Sequence, residues 1–193
     1  MMKVFVKEKQ RVLDDFFKVD RAVIQYEKFD GSISREIIRL NFDRGDSAAA
    51  LLVNNDEEKL ILVKQFRYPI YTKEKDKAWA LEIVAGTVEK KSNPKDTIIR
   101  EIQEETGYLV DSVSQIFSFY PSPGGSNEKI YIYYAEVTHK NRVESGGGVI
   151  SEGEDIQVLE IPFHQAFQMV ESGEIVDAKT IIAIQWFKAR IQD

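Results

Sequence analysis

For its first two thirds the chain alternates between short apolar runs and polar breaks, and near its end the apolar spacing becomes helical. Residues 48–53 and 59–66 are apolar runs on either side of Asn54-Asn55-Asp56-Glu57, which predicts a hairpin of two buried strands. Residues 79–84 form a further short apolar run interrupted by Glu82. Residues 114–120 and 130–137, rich in Phe, Tyr and Ile, predict two more strands, parted by the breaker Pro121-Ser122-Pro123-Gly124-Gly125. Residues 158–161 complete the strand set. Residues 162–172 and 178–191 read as two closing helices, the first ended by Gly173. Upstream, residues 12–42 read as an antiparallel hairpin. Val19, Ala22, Val23, Ile24 and Tyr26 lie on one arm, and Ile33, Ile37, Ile38, Leu40 and Phe42 on the other. The turn between them is Asp30-Gly31-Ser32, where Gly31 accepts a positive φ. A lone hairpin is marginal in water, so this one needs the main domain or a second chain to pack on. The pattern as a whole is α+β, or a mixed-sheet sandwich.

The interval 86–108, GTVEKKSNPKDTIIREIQEETGY, differs from these runs. Asn93 is a helix cap, Pro94 suits a first helical position and Asp96 complements the N-terminal dipole. Gly107 is placed to end the helix. At about 100° per residue, Glu101, Glu104 and Glu105 span an arc of about 100°. Ile98 and Ile102 flank that arc, so the carboxylates border the buried face. Carboxylates crowded there repel one another and lose solvation, and a hard cation relieves both costs. All-oxygen donors select Mg²⁺ or Mn²⁺ over zinc. The competing reading is a solvated acidic helix face paired with lysines.

Composition narrows the alternatives. A chain of 193 residues, 43% hydrophobic and 30% charged, suits one globular domain with or without an extension. Its net charge of −6 disfavours a phosphate-gripping nucleic-acid binder, and no basic stripe is present. There is no cysteine, and His139 and His164 are the only histidines, which excludes disulfides, zinc–thiolate sites and a three-histidine zinc site. The N-terminal segment MMKVFVKEKQRVLDD has no apolar core of signal-peptide length, and no run approaches the ~18 apolar residues of a membrane helix. A cytoplasmic protein with no membrane partner is expected.

The spacing of residues 86–108 resembles the Nudix box, G-x5-E-x7-R-E-U-x-E-E-x-G-U with U apolar. Gly86, Arg100, Glu101, Ile102, Glu104, Glu105 and Gly107 stand at the family positions. Ser92 replaces the family's first glutamate, and Tyr108 fills the last apolar position. Asp43-Arg44-Gly45, Lys64-Gln65-Phe66-Arg67, Glu82 before Ala85-Gly86, Ser122-Pro123-Gly124-Gly125 with Glu128, and the glycine-rich loop before Glu152-Gly153-Glu154-Asp155 resemble the branch of ADP-ribose and GDP-mannose pyrophosphatases. The segment Asp43-Arg44-Gly45, the triple glycine 146–148 and Asp177-Ala178-Lys179-Thr180 are closest to the GDP-mannose group. Residues 82–86 and 151–155 look at least as close to the ADP-ribose enzymes.

The resemblance implies a Nudix α/β/α sandwich over residues 43–193. Residues 1–42 then form an N-terminal antiparallel β extension that pairs two subunits into a homodimer. It implies a Mg²⁺-dependent hydrolase (Mn²⁺ as substitute) of a nucleoside-diphosphate sugar, ADP-ribose first, yielding AMP and ribose 5-phosphate, and GDP-mannose close behind. Glu101 and Glu105 become the principal metal ligands, with Glu104, the Ala85 carbonyl and Glu154 alongside. Glu152, on a mobile loop opened by the triple glycine, becomes the general base. Arg44, Arg67, Glu128 and Gly125 become substrate contacts. Gly86, Arg100 and Gly107 are structural, and Ser92 puts the packing of Arg100 in question. A non-catalytic nucleotide-sugar-binding or regulatory protein on the same scaffold is the alternative.

Overall fold

The computed structural model describes residues 1–191, with Glu152 described by its backbone alone. Its centre is β4 (Asp46–Asn54), in which every residue from Ser47 onward is buried. Successive strand side chains point to opposite faces. Ala49, Leu51 and Val53 accordingly enter one apolar cluster, and Ala48, Ala50 and Leu52 enter another. A strand with two dry faces must lie inside a sheet covered on both sides.

Its neighbours meet that requirement. β4 runs parallel to β9 (Ile130–Glu136), from Ser47 opposite Ile130 to Val53 opposite Glu136. It turns back on β5 (Lys59–Phe66), with Leu52 opposite Ile61 and Asn54 opposite Lys59. β5 also pairs antiparallel with β10 (Gln157–Pro162) and with β6 (Trp79–Glu82), while β7 (Val84–Val88) pairs with β4 and β8 (Ser114–Phe119) with β9. The seven-stranded sheet is therefore mixed. On one face α2 (Pro94–Thr106) inserts Ile98 and Ile102, both 0% exposed. On the other, α3 (Phe163–Glu171) and α4 (Ala178–Ile191) insert Ala166, Met169, Ala183, Ile184 and Phe187. This is the α/β/α sandwich that the sequence implied. One helical turn, α1 (Tyr68–Tyr71), follows β5 at Pro69.

The chain divides into two compact units, residues 1–46 with 120–129, and residues 47–119 with 130 onward. The first contains an antiparallel three-stranded sheet of β1 (Val4–Asp14), β2 (Lys18–Tyr26) and β3 (Ile37–Asp43). The expected hairpin is β2 with β3, turning through Gly31 at φ 80. β1 is an additional strand. Every one of its residues is exposed, so it has no two-residue apolar rhythm to reveal it. Its charged side chains pair across the ladder instead, as where Arg11 donates to Asp20 at 2.5 Å and Lys9 lies 3.1 Å from the same carboxylate. Among the described residues, no helix is long and apolar enough to cross a membrane.

Candidate active site

The sequence of α2 places its carboxylates where charge is costly. The Asn93 side chain accepts from Lys95 N–H at 2.9 Å to start the helix, and Gly107 at φ 74 ends it. Packing Ile98 and Ile102 against the sheet rotates Glu101 and Glu105 inward, to 9% and 2% exposure, and leaves Glu104 half-buried. Close approach to β7 is possible because Gly86 lacks a side chain. A Cβ there would stand 2.2 Å from the Glu101 carboxyl carbon.

The electrostatics follow from that placement. Burial, then the nearby Glu101 and Glu154 carboxylates, pushes Glu105 up to about 8, against a smaller opposing effect of the Ala85 backbone N–H. Burial is also the main reason Glu101 is raised, with Glu104 and Glu154 adding to it and Arg100 opposing. Glu105 Oε2 is buried without a hydrogen-bond partner. A buried carboxylate oxygen without a partner, beside the Glu101 and Glu154 carboxylates, suits a divalent cation bound through oxygen. These residues fit such an ion.

Arg100 is half exposed and donates to Glu101 at 2.6 Å and to Glu104. Ser92 lies in an exposed turn, its N–H on the Glu89 carbonyl at 3.0 Å, so this arginine is held by the helix carboxylates themselves. Glu154 accepts from Val149 N–H at 2.8 Å. The side chain of Glu152 lies outside the described residues, and its backbone ends a 3₁₀ turn at 150–152.

The triple glycine has a role that loop composition did not suggest. The N–H of Gly147 donates to the Glu105 carbonyl at 2.9 Å and that of Gly148 to Glu104 at 3.1 Å, satisfying carbonyls at the end of α2. A Cβ on Gly146 would stand 2.4 Å from the Glu105 carbonyl oxygen. The loop bearing Glu154 is thereby tied to the helix bearing Glu101 and Glu105.

The expected substrate contacts fall in two groups. In the N-terminal unit, Arg44 lies 3.6 Å from Glu128 and its guanidinium 5.7 Å from the Phe17 ring centroid. The Gly125 carbonyl there accepts from Phe42 N–H at 2.8 Å. In the other unit, Arg67 forks onto Glu82, Nε to Oε1 at 2.7 Å and an Nη to Oε2 at 2.8 Å. Lys179, which the sequence reading left without a role, also donates to Glu82 at 2.5 Å and lies 3.1 Å from Asp177. These two cations overcome burial and hold Glu82 at about 2. A sequence signal for Lys179 existed, because a cation in the first turn of a helix opposes the dipole and needs a carboxylate close by.

A family model described as NUDIX domain matches residues 43–183. A GDP-mannose pyrophosphatase of Pectobacterium atrosepticum is 40% identical over 93% of this chain and 91% of its own length. One from Escherichia coli K12 is 36% identical over 93% of each. Among solved structures, a crystal structure of an ADP compounds hydrolase superposes with a TM-score of 0.70, 18% identity and coverage of 97% and 96%, a likeness of fold. With the family match spanning most of the chain, and with Gly86 on β7 and Arg100, Glu101, Glu104, Glu105 and Gly107 along α2 and its end as described, the protein belongs to the Nudix family of hydrolases.

Proposed function

We propose that the protein hydrolyses the pyrophosphate bond of a nucleoside-diphosphate sugar, with GDP-mannose as the leading substrate and ADP-ribose second. The observation that carries the reading is the buried, unpartnered Glu105 oxygen beside Glu101 and Glu154. The order of substrates rests on the relatives named as GDP-mannose pyrophosphatases along almost the whole chain, whereas the ADP compounds hydrolase is alike in fold. Sequence motifs alone ranked ADP-ribose first.

In this reading Glu101 and Glu105, with Glu104, Glu154 and the Ala85 carbonyl, hold Mg²⁺ or Mn²⁺. When bound, the cation supplies charge neutralisation for the pyrophosphate and acidifies a water ligand. Glu152 takes the proton from the attacking water. Arg44, Glu128 and Gly125 contact the substrate, and Arg67 gives up part of its fork on Glu82 to bind phosphate. Water adds to one phosphorus and the bridging P–O bond breaks. GDP-mannose then gives GMP and mannose 1-phosphate, and ADP-ribose gives AMP and ribose 5-phosphate.

The N-terminal sheet is proposed to pair two copies of the chain, since Val4 and Val6 on β1 and Ile38 and Leu40 on β3 are each more than half exposed. The domain boundary is placed at residue 42 in the same proposal. The deciding assay is a panel of GDP-mannose, ADP-ribose, UDP-glucose and NADH with Mg²⁺ and with Mn²⁺, scoring phosphate released by a coupled phosphatase. Preferential turnover of GDP-mannose is expected. Preference for ADP-ribose would reverse the order, and no turnover of any compound would overturn the enzyme reading in favour of a binding protein.

A further inference from the structure

Away from α2, a group of metal-ligating side chains converges among the described residues. Glu57 in the β4–β5 turn, His139 in the turn after β9, and Glu160 on β10 each offer one ligand atom, and these atoms lie within 4.8 Å of one another. His139 Nε2 meets Glu57 Oε1. The Oε2 atoms of the two carboxylates share one cation, Lys59 Nζ, at 2.7 Å from Glu57 Oε2 and 3.4 Å from Glu160 Oε2.

The Glu160 carboxylate is oriented from behind. Glu160 Oε1 accepts from Tyr108 Oη at 3.1 Å and from Arg142 at 3.4 Å, which leaves Oε2 facing Lys59. The backbone N–H of Glu57 donates to Asn54 Oδ1 at 3.2 Å. Asn54 is 1% exposed, and its Nδ2 is buried without a partner. Asn54, Glu57 and His139 line one cavity of about 210 Å³ with Asp56, Thr138 and Lys140. Asn54 is thus a buried amide whose donor is unpartnered within the described chain, at the wall of that space. That observation is independent of the three ligand atoms.

We propose that Glu57, His139 and Glu160 form a second metal site, for a borderline-soft divalent ion of the Zn²⁺ class, in which the ion displaces the Lys59 ammonium. One imidazole nitrogen and two carboxylate oxygens make a three-ligand set that leaves a further position for water, as zinc accepts. The imidazole selects against Mg²⁺, so the two metal sites of the chain differ in ion. The bound ion ties the β4–β5 turn, the turn after β9 and β10 together. Tyr108, the tyrosine at the last position of the Nudix box, links that tie to the end of α2.

The test is calorimetric titration of the full chain with Zn²⁺ in the presence of saturating Mg²⁺, beside thermal melts with and without Zn²⁺. One equivalent of Zn²⁺ and a raised Tm are expected. His139→Ala, at a residue 58% exposed by its side chain, should weaken that equivalent at least about tenfold and abolish the shift in Tm. Lys59→Ala should tighten Zn²⁺ by removing the competing cation, although it removes the ion pairs that Lys59 makes. A purely structural ion-pair cluster predicts no Zn²⁺ tightening in Lys59→Ala and no Zn²⁺ dependence of Tm. Either of those results, or a His139→Ala titration that matches the wild type, overturns the site.

Discussion

Replacing Glu105 by glutamine separates the electrical cost of the site from its chemistry. In the unfolded chain this carboxyl titrates at its ordinary 4.5; in the fold it is pushed up to about 8, mainly by burial and then by Glu101 and Glu154. Between those two values the folded state holds a proton that the unfolded state has lost, so stability is greatest below pH 4.5 and falls as pH rises to 8. Above pH 8 the penalty is complete, at about 5 kcal/mol without a bound cation. Glutamine cannot ionise and escapes that penalty. Its amide NH₂ would stand at the place of the unpartnered Oε2, which costs about 1–3 kcal/mol at every pH.

The two terms differ in pH dependence, so their sum changes sign. At pH 4 Glu105→Gln should be less stable than the wild type by about 1–3 kcal/mol, and at pH 9 more stable by about 2–4 kcal/mol. Urea unfolding in EDTA at half-unit pH intervals reads the crossover. Adding Mg²⁺ at pH 8 should restore the wild type by mass action and do much less for the variant, whose turnover should fall at least about 10²-fold. Parallel pH profiles for the two proteins would refute the placement of Glu105 as a carboxylate raised by its surroundings.

Glu82→Gln tests the opposite case. A carboxylate held at about 2 between Arg67 and Lys179 stabilises the fold above pH 4.5, and that contribution fades as pH falls toward 2. Its removal leaves Arg67 without its carboxylate and Lys179 with Asp177 alone, and urea unfolding at pH 7 should show a loss of about 3–5 kcal/mol. Gly86→Ala drives a methyl group to within 2.2 Å of the Glu101 carboxyl, so turnover should collapse while circular dichroism still reports a folded chain. Gly146→Ala meets both a φ of 68 and the Glu105 carbonyl at 2.4 Å, and should lower Tm by several degrees, where an unchanged Tm would show that the glycine cap on α2 is dispensable. Deleting residues 1–42 should convert a dimer to a monomer or an insoluble chain by light scattering; a well-behaved dimer would place the interface elsewhere.

What could be read from the sequence was whatever local spacing enforces. The dry run of β4, the capped helix from Asn93 to Gly107 and the inward tilt of Glu101 and Glu105 all follow from residue types within a few positions of one another. β1 was hidden because an exposed strand has no apolar rhythm. The partners of Glu82 were hidden for a different reason: Arg67 and Lys179 are separated by more than 100 residues, and they meet only because α4 packs on the face of the sheet that carries β5 and β6. The glycines at 146–148 show how composition misleads. Three glycines in a row read as slack, yet each takes a positive φ, and Gly147 and Gly148 use their N–H groups to close the end of α2. Conformational freedom in the unfolded chain is there the means of reaching one strained backbone path in the folded one. The same contact explains why the carboxylates of loop and helix are neighbours at all. Glu154 raises Glu105 because the loop that carries it is fastened to the carbonyls of Glu104 and Glu105. The charge crowding that suits the site to a cation is thus a product of backbone hydrogen bonds, and loosening the cap should lower the Glu105 carboxyl toward its ordinary range without touching an acidic side chain.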